Sequence, residues 1–70
     1  MKVNKTQALL FMLITLIQNE KLSKKYIMQE IEISDLTFRR YMQELRAFIT
    51  NFNIAYEIHY NRNDDMYYLE

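Results

Sequence analysis

The chain has 70 residues, of which 50% are hydrophobic and 26% charged, and its nine basic side chains balance nine acidic ones. A chain of this length has room for one domain with a modest core, which excludes a large enzyme with a deep cleft. Because it contains no Cys and no Gly, it lacks disulfides, thiolate nucleophiles, Cys-based metal sites and the glycine-rich loops that cradle phosphates.

The first predicted element is a helix of about residues 4–19, which begins at the capping candidates Asn4 or Thr6. Its predicted core stripe has the i, i+4, i+7, i+8 spacing of one helix face: Leu9, Leu13, Leu16 and Ile17. The run Ala8–Ile17 is nevertheless apolar at every position except Thr15, which is more than one small domain covers. We therefore expect part of this helix to pack on a second copy of the chain, as a homodimer, or on a neighbouring domain.

The same apolar run is too short for a membrane span, which needs about 20 residues. Lys2 and Lys5 precede it as in a signal peptide, but Gln18–Lys21 follows with no small-residue cleavage site. We expect a buried helix, no membrane partner and a cytoplasmic protein.

Two further helices are predicted, each beginning after a Ser that serves as an N-cap. Ser23 precedes a helix of about residues 24–31, and Ser34 precedes a longer one of about residues 35–50. The longer helix has apolar residues at i, i+4, i+7 and i+11, namely Phe38, Met42, Leu45 and Ile49. The apolar residues expected to face this stripe are Leu22, Ile27, Ile31 and Ile33.

After Asn51 the pattern changes to alternation with a period of two, which predicts β-strands. The apolar and aromatic positions of the first strand are Phe52, Ile54, Tyr56, Ile58 and Tyr60. Asn and Asp residues at 61–65 suit a turn, since both tolerate the left-handed region, and residues 66–69 return as a second strand. The predicted hairpin spans about residues 54–69, and its tyrosines are expected to pack across the strands. The predicted fold class is mainly α with a small β-hairpin, an α+β chain.

The order of these elements resembles a winged helix-turn-helix domain of bacterial transcription regulators of the DeoR, BglG and Mga types. The run Leu22–Leu45 is similar to their helix-turn-helix, with Ser34-x-x-Thr37-Phe38-x-Arg40 followed by Leu45. Tyr67-Tyr68-Leu69 is similar to the Tyr-x-Leu that closes their wing. The resemblance covers roughly residues 9–69 and implies one domain over residues 1–70 that binds double-stranded DNA without a cofactor.

A helix docked in the major groove needs polar side chains opposite its core stripe and phosphate donors at its N-terminus. The outward set of the third helix is Asp35, Leu36, Arg39, Arg40, Gln43 and Arg46. By position, the base-edge candidates are Leu36, Arg39 and Gln43, since Arg pairs with guanine and Gln with adenine. The phosphate candidates, as the resemblance implies, are Ser34, Thr37 and Arg40. Additional phosphate or minor-groove contacts are predicted for Lys24, Lys25 and Arg62 at the wing tip.

Acidic residues favour an alternative role, a winged helix that contacts protein, such as a phage inhibitor or an assembly factor. Glu32 stands in the turn where those families usually have Gly or another small residue. Asp35 lies at the groove-facing end of the third helix, where its carboxylate suits the helix dipole but repels phosphate unless it accepts from a cytosine amino group. Asp64 and Asp65 make the wing tip net negative. An enzyme and a metal site are not expected, because no nucleophile with an adjacent base and no cluster of ligands is present.

Overall fold

Three helices and a three-stranded antiparallel sheet make up the computed structural model, which describes residues 1–70. In chain order the elements are α1 (Lys5–Asn19), β1 (Lys21–Ser23), α2 (Lys24–Glu30), α3 (Asp35–Asn51), β2 (Ile58–Asn61) and β3 (Met66–Leu69). The predicted fold class, three helices followed by a wing hairpin in an α+β chain, is confirmed. Each helix end lies within one residue of its predicted position.

Every helix begins at a side-chain cap that accepts a hydrogen bond from the backbone N–H three residues later. The pairs and their distances are Asn4 with Gln7 at 2.8 Å, Ser23 with Tyr26 at 3.1 Å and Ser34 with Thr37 at 3.1 Å. Such a cap satisfies one of the free N–H groups of the first turn and stabilises a helix by about 1 kcal/mol. The three capping positions thus fix where α1, α2 and α3 start.

Each helix also ends at a left-handed residue, a conformation that Gly adopts most easily. These residues are Glu20 with φ 63, Glu32 with φ 53 and Asn53 with φ 54. Beyond α2, the Ile33 N–H donates to the Met28 carbonyl at 3.2 Å, which is the six-to-one bond of a Schellman motif. The turn between α2 and α3 therefore forms without Gly, at the conformational cost of a side chain in the left-handed region.

The wing begins later than predicted, because β2 starts at Ile58 and not near residue 54. The N–H groups of Asn53 and Ile54 donate back to the end of α3, to the carbonyls of Thr50 at 3.2 Å and Ile49 at 3.0 Å. These bonds turn the chain away from an extended course, so the alternation at residues 52–56 does not form a strand. The strand prediction failed at these residues because the alternation of side chains does not show which backbone N–H groups donate to the end of α3.

A third strand, β1, was not predicted from the sequence. β1 pairs with β3, so the strand order is β1-β3-β2 and the returning strand of the wing is central. Leu22 lies opposite Tyr67 in this ladder and is completely buried. The pairing fixes the wing to the segment between α1 and α2, which holds the hairpin beside the helices.

The core is built on α3, whose buried residues are the predicted stripe Phe38, Met42, Leu45 and Ile49. Leu22, Ile27 and Ile31 are buried against it and Ile33 is partly buried, as the sequence predicted. The Phe38 ring contacts the Tyr67 ring at a centroid distance of 5.6 Å. This contact joins α3 to the sheet.

The buried face of α1 matches the predicted one only in part. Leu16 is buried as predicted, and Leu9 and Leu13 are partly buried against the core, but Ile17 is 56% exposed. The other buried residues are Ala8, Met12 and Thr15. Thr15 tolerates burial because its hydroxyl donates to the Phe11 carbonyl at 2.7 Å. A helix that is apolar around most of its circumference does not specify from its own pattern which face turns inward, so contacts with α3 and β1 decide.

As a result, α1 exposes an apolar stripe on the side opposite the core. Its members are Leu10 at 60%, Ile14 at 45% and Ile17 at 56% exposure, and their i, i+4, i+7 spacing places them on one helix face. The only charged residue of α1 is Lys5, in its first turn. No helix of the chain combines the length and the apolar character needed to cross a membrane.

Candidate nucleic-acid interface

The exposed face of α3 carries the side chains that the sequence predicted to contact base edges. Leu36 is 51% exposed, the Arg39 side chain is 64% exposed, and Gln43 is exposed. They recur every three or four residues opposite the buried stripe, so they share one face about 10 Å long. Three steps between base pairs of B-DNA, at about 3.4 Å each, cover the same length.

Ser34 and Thr37, both predicted to contact phosphate, are bonded to each other at the start of α3. The Ser34 hydroxyl accepts from the Thr37 N–H and donates to the Thr37 hydroxyl oxygen, each at 3.1 Å. Ser34 is exposed, while Thr37 is half-buried. Their first task is to cap the helix, and the exposed Ser34 is the better placed of the two for an incoming phosphate.

Asp35, the first residue of α3, bridges two of the cations predicted to contact DNA. Its carboxylate accepts from the Lys24 ammonium and from Arg39 Nη2, the latter at 2.9 Å. The Lys24 hydrogen bond, helped by the Arg39 charge and opposed by desolvation, holds the pKa of Asp35 below its ordinary value. Lys24 also lies 5.9 Å from the centroid of the Phe38 ring. The N-terminal ends of α2 and α3 are thereby joined by an ion pair.

A shallow concavity of about 540 Å³ brings the wing tip next to these two helix ends. Its lining includes Lys24 and Lys25 from α2, Asp35 from α3 and Asp65 from the turn between β2 and β3. Residues that are 40 positions apart in the sequence therefore meet at one surface. The structure brings together the three elements that the sequence predicted to contact DNA.

The acids of the wing tip have partners within the chain. Asp64 pairs with Lys21 of β1 at 3.2 Å, and Asp65 accepts from the Tyr60 hydroxyl at 2.6 Å. This hydrogen bond raises the pKa of Tyr60 above its ordinary value, and the Tyr60 ring packs across the strands on Tyr67, as expected, with centroids 4.9 Å apart. Both carboxylates of the tip thus have partners within the chain, and they lie beside an exposed Arg62.

Five cationic side chains have no acidic partner within 4.0 Å, and three of them belong to the elements that form this surface. Lys25 belongs to α2, Arg40 to α3 and Arg62 to the wing tip, and all three are exposed. Arg46 is exposed, as expected of the outward set, and its Nη2 donates to the Ile58 carbonyl at the long distance of 3.5 Å. One free cation thus remains on each of the three elements.

Two ion pairs of this surface were not predicted from the sequence, Lys21 with Asp64 and Lys24 with Asp35. Lys21 pairs with Asp64 of the wing, 43 positions later in the sequence, and no local sequence pattern predicts such a pair. The bond between Asp35 and Arg39 has the i, i+4 spacing of helical ion pairs, so that part was accessible from the sequence. The further link to Lys24 depends on how α2 and α3 cross.

The surface offers non-covalent contacts, namely guanidinium, ammonium, amide and apolar groups. No three carboxylate or imidazole side chains converge in a geometry that would hold a metal ion. Comparison of the chain with protein-family models, with curated proteins and with solved structures finds no match.

Proposed function

We propose that this chain is the DNA-binding module of a cytoplasmic transcription regulator of a bacterium or phage, with α3 in the major groove. The observation that carries the proposal is that α2, α3 and the wing tip each carry an exposed cation without an acidic partner. These cations are Lys25, Arg40 and Arg62, and Lys25 lines the concavity where α2 meets the start of α3 and the wing tip. With the exposed base-edge candidates of α3, they supply the two kinds of contact that DNA recognition needs, because phosphate contacts position a protein and base contacts specify the sequence.

Each side chain has a distinct part in this proposal. Arg39 donates to guanine and Gln43 pairs with adenine in the major groove, while Leu36 packs against a thymine methyl group. Lys25 and Arg40 neutralise phosphates on either side of the groove, and Arg62 places the wing on the backbone or in a minor groove. No covalent step and no cofactor are involved.

Two substitutions separate base contacts from phosphate contacts. Arg39→Ala should cost about 1–3 kcal/mol on the preferred site and relax the choice of base at one position. Lys25→Ala should weaken binding to all sequences alike and reduce the salt slope by about 1. Lys2→Ala removes the same charge from an exposed lysine that is not among the proposed contacts and should change neither quantity. Equal effects of Arg39→Ala and Lys25→Ala would contradict the assigned roles.

We further propose that the regulator binds DNA as a homodimer through the exposed stripe of α1. Leu10, Ile14 and Ile17 form an apolar strip on a helix with one charge, at Lys5. Two such helices can therefore pack about a twofold axis without opposing like charges. The two copies of α3 would then contact half-sites about one helical turn apart.

The dimer is tested by sedimentation velocity over a range of protein concentrations. The unchanged chain should show a concentration-dependent dimer, and Ile14→Glu should sediment as a monomer. Gln29→Glu places the same charge on the exposed surface of α2 and should leave the dimer intact. A strictly monomeric chain at high concentration would contradict self-association.

The alternative role in protein contact drew its support from the zero net charge and from the acidic residues Glu32, Asp35, Asp64 and Asp65. Asp35, Asp64 and Asp65 are each bonded to a partner within the chain, so they are less available to attract a basic protein surface. This favours the DNA proposal. A salt titration of the binding distinguishes the two roles, since neutralisation of phosphates gives a steep dependence on salt concentration.

A further inference from the structure

Asp35 is an acidic residue that lies among the proposed DNA contacts. It forms ion pairs with two cations that the sequence predicted to contact DNA, Lys24 and Arg39. It occupies the first position of α3, and its side chain is 45% exposed. An acid in this position weakens attraction to DNA phosphates, so general affinity for DNA does not explain it. Its geometry suggests another effect, on the two cations that it contacts.

The effect on Lys24 is to remove a phosphate contact. Lys24 bonds to the Asp35 carboxylate, and its side chain is only 30% exposed, lying near the Phe38 ring. A phosphate that binds Lys24 must break this bond and approach the carboxylate. Lys25, one residue later, is exposed and has no acidic partner, so it stays available to any DNA sequence.

The effect on Arg39 is to orient it. One Nη2 atom donates to Asp35 at 2.9 Å, while the side chain remains 64% exposed. A guanidinium has five N–H donors in a planar fork, so donors remain for the O6 and N7 atoms of a guanine. An arginine that is already held loses less rotamer freedom when it binds. It also resists turning toward a phosphate.

We propose that Asp35 sets sequence specificity by masking Lys24 from phosphates and by holding Arg39 in position for a guanine. This inference rests on the proposed DNA-binding function. It assigns to an acidic residue the task of lowering affinity for random DNA while preserving affinity for the preferred site. Removal of the carboxylate should therefore make the protein bind more DNA with less discrimination.

The size of the effect follows from counterion release. Each phosphate contact contributes about 0.9 to the slope of log affinity against log salt. If Asp35→Asn frees Lys24 for one phosphate, the slope steepens by about 0.9, and affinity falls about 3.5-fold more between 50 and 200 mM salt. At the lower salt, affinity for random duplex should rise several-fold, and the preference for guanine at the Arg39 position should fall.

The experiment compares the unchanged chain with three variants on a selected site and on a scrambled duplex, each at both salt concentrations. Asp35→Asn removes the carboxylate with little change in shape. Glu57→Gln removes the same charge from a side chain that is 80% exposed and pairs only with His59. The double variant with Asp35→Asn and Lys24→Gln removes the freed cation as well. Circular dichroism of each variant establishes that it is folded.

We expect Asp35→Asn to raise affinity for the scrambled duplex and to steepen the salt slope, whereas Glu57→Gln does neither. In the double variant the slope should return to that of the unchanged chain. If the unchanged chain binds DNA and Asp35→Asn has the same slope and the same discrimination, the inference about Asp35 is wrong while the proposed function stands. If neither protein retains DNA, both are wrong.

Discussion

The turn between α2 and α3 allows a quantitative test of how this chain folds without Gly. Glu32 has φ 53, a conformation that costs a side-chain-bearing residue about 1–2 kcal/mol. Gly would avoid that cost, although it loses about 0.5–1 kcal/mol more backbone entropy on folding. The Glu32 carboxylate is 54% exposed and contacts the Met1 ammonium at 3.2 Å, so its loss matters little. We expect Glu32→Gly to stabilise the domain by about 0.5–1 kcal/mol.

In a domain of this size such a gain raises Tm by about 2–8 °C. Urea unfolding followed by circular dichroism measures the free energy, and thermal unfolding measures Tm. Glu32→Ala keeps the β-carbon and should give no gain. Gln29→Gly, in the last turn of α2, should destabilise by about 0.5–1 kcal/mol. An equal gain from Glu32→Ala, or a loss from Glu32→Gly, would refute the assignment of strain to the left-handed backbone.

Three further predictions concern the core and the two perturbed titrations. Because Phe38 is completely buried, Phe38→Ala should lower the free energy of unfolding by about 3–5 kcal/mol. This is a large part of the about 3.5–10 kcal/mol usual for a domain of 70 residues. A loss below about 1 kcal/mol in urea unfolding would contradict its central place in the core. The pKa of Asp35 is lowered on folding by Lys24, so its stabilisation exists above its ordinary pKa and is lost as pH falls through the lowered value. The stability difference between the unchanged chain and Asp35→Asn should therefore shrink below about pH 4, and a constant difference would contradict the ion pair. The pKa of Tyr60 is raised by the Asp65 hydrogen bond, so that stabilisation exists below about pH 10 and is lost as pH rises through the raised value. The absorbance difference between the unchanged chain and Tyr60→Phe should titrate above pH 10, and a midpoint at or below about 10 would refute the bond.

The helices were predictable because their signals are local. Ser34 and the four-residue spacing from Phe38 to Met42 define the start and the buried face of α3 without reference to the rest of the chain. The buried face of α1 was predictable only in part, since Ile17 and Met12 are both apolar and only packing places one outside and the other at 0% exposure. The local pattern thus predicts where a helix forms, while tertiary contacts decide which of its faces is buried.

The sheet and the candidate site show the same division. β1 has one apolar residue, Leu22, and exists because β3 offers it a second edge. The outward residues of α3 followed from helical spacing, and Arg39 is exposed as that spacing requires. The pairing of Asp35 with Lys24 links two elements at an angle that the sequence does not state. Long-range geometry therefore decides which predicted cations remain free.

The proposed binding to DNA is tested by selection from a pool of random duplex DNA at about 50 and about 200 mM salt. Three free cations at the proposed interface, Lys25, Arg40 and Arg62, give an expected slope of about −2.7 per chain, or a loss of about 40-fold in affinity between the two salt concentrations. We expect enrichment of a palindromic motif with half-sites about one helical turn apart. Failure to retain DNA at the lower salt, or binding that does not weaken as salt rises, would contradict the account.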